Sequence, residues 1–106
     1  MRKMGAPQKF RSRYIAFKVE GEASIEELRK AISKSSREIS RLNPRPRIVI
    51  YDGDEGCGLV KCSHLQVDEL KRKLKKIGGT GNESFKVRLL GVSGTIKAAK
   101  RKFLSI

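Results

Sequence analysis

The spacing of apolar residues changes along this chain, and that change constrains the fold more than any other feature. From Arg13 to Glu20 apolar and polar residues alternate, with Ile15, Phe17 and Val19 on one side, as in a half-buried strand. Apolar residues then recur at spacings of three and four, as in an amphipathic helix, before short strand-like stretches return. The sequence therefore predicts a mixed fold in which helices cover a sheet.

Two segments carry the helical spacing. The first starts at Ser24, which can form a capping box with Glu27, and it ends before Pro44. The second follows another possible capping box, between Ser63 and Gln66, and it stops at a pair of glycines. The stripes that face the core are Ile25, Leu28, Ile32, Ser35, Ile39 and Leu42 in the first helix, and Val67, Leu70, Leu74 and Ile77 in the second.

Three more strands and a last helix complete the pattern. Residues 47–52 and 58–62 predict a hairpin around a turn rich in Asp and Gly, residues 85–90 a last strand and residues 95–103 a short helix. This order predicts an α+β, ferredoxin-like (RNA-recognition-like) split βαβ sandwich. In that fold, a four-stranded antiparallel sheet has two helices on one face, and here a C-terminal helix is added.

Basic residues far outnumber acidic ones: 25 Lys and Arg against 11 Asp and Glu give a formal charge of +14. A surface with that surplus repels itself unless a polyanion is near, so nucleic acid is the expected partner. No apolar run approaches the roughly 18 residues of a membrane span, and no signal-peptide core is present, so a cytoplasmic protein without membrane association is expected. Residues 1–12 predict a flexible basic N-terminal tail, and residues 13–106 a single RNA-binding domain.

Neither a catalytic group nor a metal site is expected in this chain. His64 is the only histidine and has no evident nucleophile, and the acids within residues 52–55 suit turn chemistry. Cys57, Cys62 and His64 give only three candidate zinc ligands, and on a strand the two cysteines would point to opposite faces. Both cysteines are expected to be small packing residues in a reducing compartment.

Residues 86–104 are the most informative for function, because an alternating basic strand leads through a Gly-x-x-Gly turn into a cationic helix. Backbone amides of Ser93, Gly94 and Thr95 would point outward at the helix start, where the dipole favours a phosphate oxygen. Gly94 is expected to need a backbone geometry or a close approach that a Cβ disfavours. Alternatively, Gly91 and Gly94 only permit a tight turn, and Thr95 or Ser93 is the N-cap. The predicted RNA-binding residues are Lys86, Arg88, Ser93, Gly94, Thr95, Lys97, Lys100, Arg101, Lys102, Arg11 and Arg13.

The same region resembles a known family. Residues 90–97 read Leu-Gly-Val-Ser-Gly-Thr-Ile-Lys, and residues 100–104 read Lys-Arg-Lys-Phe-Leu. They closely resemble the carboxy-terminal motif of ribonuclease P protein component two, the small archaeal subunit of the ribonucleoprotein that processes tRNA 5′ ends. Residues 13–19 are similar to that family's first strand, and residues 56–62 and 67–70 to its third strand and second helix.

The resemblance implies a non-catalytic protein subunit of ribonuclease P, the ribonucleoprotein endoribonuclease that removes the 5′ leader from precursor tRNA. Such a subunit binds and stabilises the catalytic RNA, which uses magnesium, and the chain itself would hold no cofactor. The implied partners are ribonuclease P RNA, the barrel-shaped protein component three, other protein subunits and, through the holoenzyme, precursor tRNA. Tyr14, Ala16 and Leu90 are the expected protein interface, and self-association stays open. The alternative function is a ribosomal protein that binds ribosomal RNA.

Overall fold

The computed structural model describes residues 11–21, 24–36, 46–77 and 85–104. Its strands are β1 (Ser12–Gly21), β2 (Arg47–Asp52), β3 (Cys57–Ser63) and β4 (Phe85–Ser93). Its helices are α1 (Ile25–Ser36), α2 (Val67–Lys75) and α3 (Ile96–Ala99), and a π-helical turn (Lys100–Leu104) follows α3. We refer to α3 and this turn together as the C-terminal helix.

Some predictions concern residues outside these ranges. They are the N-terminal tail up to residue 10, the end of the first helix before Pro44, and the glycine pair at residues 78–79.

The four strands form one antiparallel sheet in the order β2-β3-β1-β4. This order and the two helices on one face confirm the predicted ferredoxin-like fold. The face that packs against α1 and α2 is called the inner face here, and the opposite one the outer face. Because the sheet is open, β2 and β4 are its two edges.

The inner face holds the larger part of the core. The predicted alternation of β1 is confirmed, because Ile15 and Phe17 are fully buried there against Leu28 of α1 and Leu70 of α2. The first capping box is also confirmed: Glu27 N–H donates to Ser24 Oγ, and Ser24 N–H donates to a Glu27 carboxylate oxygen, both at 3.1 Å.

The second capping box forms only in part. Ser63 N–H donates to Gln66 Oε1 at 2.9 Å, but α2 begins at Val67, with Gln66 itself at the N-cap position. In the part of the chain that the structure describes, the buried Ser63 hydroxyl has no hydrogen-bond partner. The Gln66 side chain therefore closes the turn before the helix instead of capping the helix start.

Gly58 of β3 lies between Phe17 on β1 and Tyr51 on β2. The two rings are nearly parallel, at 10°, with their centroids 6.2 Å apart. A Cβ at position 58 would overlap the Ile50 carbonyl oxygen and come within 2.8 Å of the Phe17 ring. Only glycine lets β2 and β3 pair this closely beneath the two rings.

The C-terminal helix packs on the outer face, where its Ala99 and Leu104 bury Ala16 and Leu59. This corrects the prediction that Ala16 contributes to a protein interface. Ala16 has no exposed surface, because the chain's own helix already covers it. The other two residues of that predicted interface, Tyr14 and Leu90, are half-buried at the margin of the same cluster.

The last strand is longer than predicted, since β4 continues past Leu90 to Ser93. Leu89 pairs with Phe17 and Gly91 with Ala16, so Leu90 is the extra residue of a β-bulge. The predicted Gly-x-x-Gly turn is therefore wrong in its first half, because Gly91 belongs to the strand.

Candidate nucleic-acid interface

The start of the C-terminal helix is fixed by Thr95. Its backbone is extended (φ −140°, ψ 156°), and its Oγ1 accepts a hydrogen bond from Ala98 N–H at 3.1 Å, as an N-cap residue does. Ser93, the other candidate, is the last residue of β4 and is largely buried opposite Tyr14. Of the two alternatives that the sequence left open, the structure selects Thr95.

Gly94 does not have the constraint expected of it. A Cβ at this exposed position would meet only Arg13 Nη1, at an ordinary contact distance of 3.8 Å, and the backbone is not left-handed. The close approach occurs at Gly91 instead, where a Cβ would overlap the ring of Phe103. The first glycine of the motif thus forms a notch on the outer face, and Phe103 fills it.

The bulge explains why this notch faces the helix. The regular alternation of β4 places Phe85, Val87 and Leu89 in the inner core. The extra residue Leu90 shifts the alternation by one position, so that Gly91 faces the outer side together with Leu90. Without this shift, Phe103 would have no depression to occupy.

The side of the C-terminal helix that faces away from the sheet is strongly positive. Its apolar residues Ile96, Ala99, Phe103 and Leu104 belong to the outer cluster. Of the basic residues, three are exposed and Lys100 is half-buried, and no acidic residue lies between positions 96 and 104. The exposed cations are Lys97, Arg101 and Lys102. Such a side is suited to phosphate contacts, although cations also stabilise the carboxyl end of a helix through its dipole.

Lys86 and Arg88 lie on the same face of the sheet as the C-terminal helix, since the residues between and beside them point into the inner core. Arg88 Nη1 is 3.5 Å from a carboxylate oxygen of Glu20 on β1. Both side chains are exposed, at 68% and 49%, so this ion pair is expected to contribute no more than about 1 kcal/mol. Arg88 can therefore exchange this carboxylate for a phosphate.

The two arginines at the start of β1 occupy different positions. Arg11 is exposed, whereas Arg13 is half-buried, donates from Nη1 to the Ser12 carbonyl at 2.9 Å and lies beside Gly94. The structure thus brings Arg13 to the turn before the C-terminal helix. The predicted roles of all these residues in RNA binding stay predictions.

His64 was not assigned a role from the sequence, and the structure gives it a structural one. The ring Nδ1 accepts a hydrogen bond from the Arg11 backbone N–H at 3.0 Å, and the His64 backbone N–H donates to the Arg11 carbonyl at 2.7 Å. The ring therefore extends the pairing of β1 with β3 by one residue and fixes where the chain enters the sheet. The two residues are 53 positions apart, so no local pattern reveals the contact.

The two cysteines lie on opposite faces, as the strand alternation predicted. Cys62 is in the inner core and Cys57 is at the outer cluster, and both are free thiols. Burial raises the pKa of the Cys62 thiol to about 11, and the charge of Arg13 lowers it to a smaller extent. Among the residues that the structure describes, no three His, Cys, Asp or Glu side chains are placed to hold a metal ion.

The acids of the β2–β3 turn are engaged in turn chemistry. One Asp52 carboxylate oxygen accepts from Asp54 N–H at 2.9 Å and from Glu55 N–H at 3.3 Å. Gly56 closes the turn with a left-handed φ of 71°, and its N–H donates to the Asp52 carbonyl at 2.8 Å.

Within the described ranges, no helix is long and apolar enough to cross a membrane.

Comparisons with known proteins match most of the chain. The model of the Rpp14/Pop5 family matches residues 13–104. A relative named Ribonuclease P protein component 2, from Pyrococcus horikoshii, is 34% identical over 101 residues, which cover 90% of this chain and 84% of the relative. Relatives with the same name come from Archaeoglobus fulgidus (32% over 109 residues; 96% and 98% covered) and Methanocaldococcus jannaschii (33% over 102 residues; 91% and 75% covered).

Proposed function

The chain belongs to the Rpp14/Pop5 family of ribonuclease P protein subunits, and from this premise we propose that it is a non-catalytic protein subunit of ribonuclease P. The observation that carries the proposal is the extent of the match, because residues 13–104 include almost all of the sheet and its three described helices. The three relatives described above are archaeal, which fits an archaeal origin. The family match favours this function over the ribosomal alternative.

The proposed role is to bind and stabilise the catalytic RNA through phosphate contacts. Support comes from the outward side of the C-terminal helix, with its cations and no acid, and from Lys86 and Arg88 on the same face. Each cation that neutralises a phosphate releases bound counterions and so favours association. Compaction of the RNA brings phosphates together, and a rigid array of cations screens their repulsion.

Catalysis is proposed to reside in the RNA, which uses magnesium, while this chain holds no cofactor. Two groups that could serve as general bases, His64 and Asp52, already have structural partners. His64 Nδ1 accepts from the Arg11 amide, and the Asp52 carboxylate accepts from two amides of its own turn. Cys62, the buried thiol, has a raised pKa and is a poor nucleophile at neutral pH.

The proposed partners are ribonuclease P RNA, protein component three, other protein subunits and, through the holoenzyme, precursor tRNA. A protein interface on the outer face would use Tyr14 and Leu90 at the margin of the C-terminal helix, without the buried Ala16. We place the protein in the cytoplasm, where its two free thiols would stay reduced.

Reconstitution tests this function. Cleavage of precursor tRNA is measured over a range of magnesium concentrations with the cognate RNA alone, with this chain and its protein partner added, and with the chain alone. The chain alone should not cleave, and the added proteins should lower the magnesium concentration needed by the RNA. Cleavage by the purified chain would contradict the non-catalytic role. An unchanged magnesium requirement would contradict the stabilising role.

A further inference from the structure

The free edge of β4 borders a groove that extends beyond the phosphate-contact surface proposed above. The groove has a volume of about 430 Å³ and lies between β4 and the end of α2. Lys86 and Arg88 line it from the outer side of the strand, and Lys75, near the end of α2, lines it from the inner side. One groove thus has cations from both sides of the sheet edge.

The lining of the groove suits a polyanion. Its apolar floor includes Val87 and Ile77, which are 6% and 7% exposed, so the rim supplies the accessible polar groups. Among the described residues that line the groove, three cations face a single carboxylate, that of Glu20, which is already shared with Arg88. Among the residues that the structure describes, no strand pairs with the free side of β4, and the amides of a sheet edge are suited to anion binding.

We propose that the RNA-contact surface continues from the outer face over the free edge of β4 to α2, with Lys75 and Lys86 binding phosphates of one RNA strand on either side of that edge. This inference rests on the proposed function and adds Lys75 and the β4–α2 groove to the surface. The ligand class is the ribose-phosphate backbone of RNA, held by charge and edge amides instead of by base recognition.

A simpler role for the lysine on β4 is protection, because charged side chains on edge strands prevent pairing with another chain. That role explains Lys86 but not Lys75, which lies in the last turn of α2, where a cation also stabilises the helix dipole. Lys75 lies across the groove from the edge strand as well, and this position puts a second cation beside the same anion site.

The test compares two double variants with the same loss of charge. Lys75→Gln with Lys86→Gln removes both sides of the groove, and Arg29→Gln with Lys34→Gln removes two exposed cations of α1, which packs beside the opposite edge. The affinity for the cognate ribonuclease P RNA is measured against salt concentration. The groove variant should flatten the plot of log affinity against log salt by about 1.4 to 1.8, from about 0.7 to 0.9 per lost contact. The α1 variant should flatten it by less than half as much.

A second pair of variants changes the charge in the opposite direction. Glu20→Gln removes the carboxylate of the groove and frees Arg88, so it should tighten RNA binding and steepen the salt dependence. Glu26→Gln, in the exposed first turn of α1, changes the net charge equally and should have a smaller effect. Circular dichroism of each variant shows that it is folded.

Equal slopes for the two double variants would overturn the inference. A groove variant that keeps its RNA affinity but self-associates would also overturn it, because Lys86 would then serve to protect the strand edge from pairing with another chain. If the wild-type chain with its protein partner fails to bind the RNA with any salt dependence, the proposed function itself fails. That outcome is separate, because it appears before any variant is compared.

Discussion

The two edges of the sheet have contrasting chemistry. β4 exposes the cations Lys86 and Arg88, whereas β2 has the half-buried apolar residues Ile48, Val49 and Ile50. A groove of about 520 Å³ lies between β2 and α1. Among the described residues, its lining has one charged residue, Arg29, whereas the lining of the β4 groove has four. The C-terminal helix covers the middle of the outer face. The two edges of the sheet therefore differ more clearly than its two faces in which partners they can contact.

A shared feature makes the difference more informative. Each edge strand has one β-bulge, at Val49 in β2 and at Leu90 in β4. Bulges bend a strand and disfavour pairing with another sheet, so both edges are protected in the same geometric way. Protection of the edge does not by itself require the charges on β4, because β2 has a bulge of the same kind and no charged residue in its centre.

The largest expected effect is on stability, and it compares a glycine that contacts the β2 edge with a glycine on the β4 edge. Gly58→Ala should lower the free energy of unfolding by about 2 to 3 kcal/mol, within the range of core overpacking, because the added Cβ meets a backbone carbonyl of β2. Gly91→Ala should lower it by about 1 to 2 kcal/mol, because the Phe103 ring can shift more easily than backbone. Urea denaturation measures both.

Gly94→Ala is the control for this pair, and it should stay within about 0.5 kcal/mol of the wild type because the position is open. If Gly94→Ala proves as destabilising as Gly91→Ala, the notch filled by Phe103 is not what holds the C-terminal helix.

The second prediction concerns the charge on the C-terminal helix beside β4. Lys97→Gln with Arg101→Gln should flatten the slope of log affinity for the cognate RNA against log salt by about 1.4 to 1.8. Arg29→Gln with Lys34→Gln on α1 should flatten it less, although the net charge changes equally. Fluorescence anisotropy of a labelled RNA across salt measures both slopes. Equal slopes would mean that the positive charge acts as a diffuse field.

The third prediction compares two helix caps. Thr95→Ala removes the cap of the C-terminal helix, and Ser24→Ala removes that of α1, and each should lower stability by about 1 kcal/mol. Only Thr95→Ala should also weaken RNA binding, because it loosens the helix with the proposed phosphate contacts. Thermal unfolding and RNA titration of both variants check this, and an equal loss of affinity would remove the distinction between the two helices.

The smallest expected effect is that of the ion pair at the β4 edge. Glu20→Gln should change the free energy of unfolding by less than about 1 kcal/mol, since both side chains of the ion pair, Arg88 and Glu20, are exposed. Chemical denaturation at low and high salt measures the change. A larger loss at low salt would show that Arg88 is committed to Glu20 and is not available to RNA.

The fold was predictable from the sequence because its signals are local. The alternation of Ile15, Phe17 and Val19 and the capping box at Ser24 depend on neighbouring residues, and the structure confirms them. The order of such elements then leaves few topologies for two helices and four strands.

The predictions that failed depend on contacts between distant parts of the chain. The fit of Phe103 at Gly91 requires a bulge at Leu90, and a bulge cannot be read from a period-two pattern that simply ends. The burial of Ala16 follows from where the C-terminal helix packs, and the sequence of that helix does not state which face it covers. Alternation along β1 correctly placed Ala16 opposite the inner core, but it could not show that this side is occupied.

The seat of Phe103 at Gly91 also determines how the C-terminal helix is rotated about its own axis. Because the ring is held in the notch, the helix cannot rotate freely, and its exposed basic residues stay on the side that faces away from the sheet. An equal number of cations on an unstructured segment would have to be ordered at the moment of association, with a loss of conformational entropy of about 1 to 2 kcal/mol per residue. On this helix most of that entropy has already been lost during folding, so more of the electrostatic attraction appears as affinity.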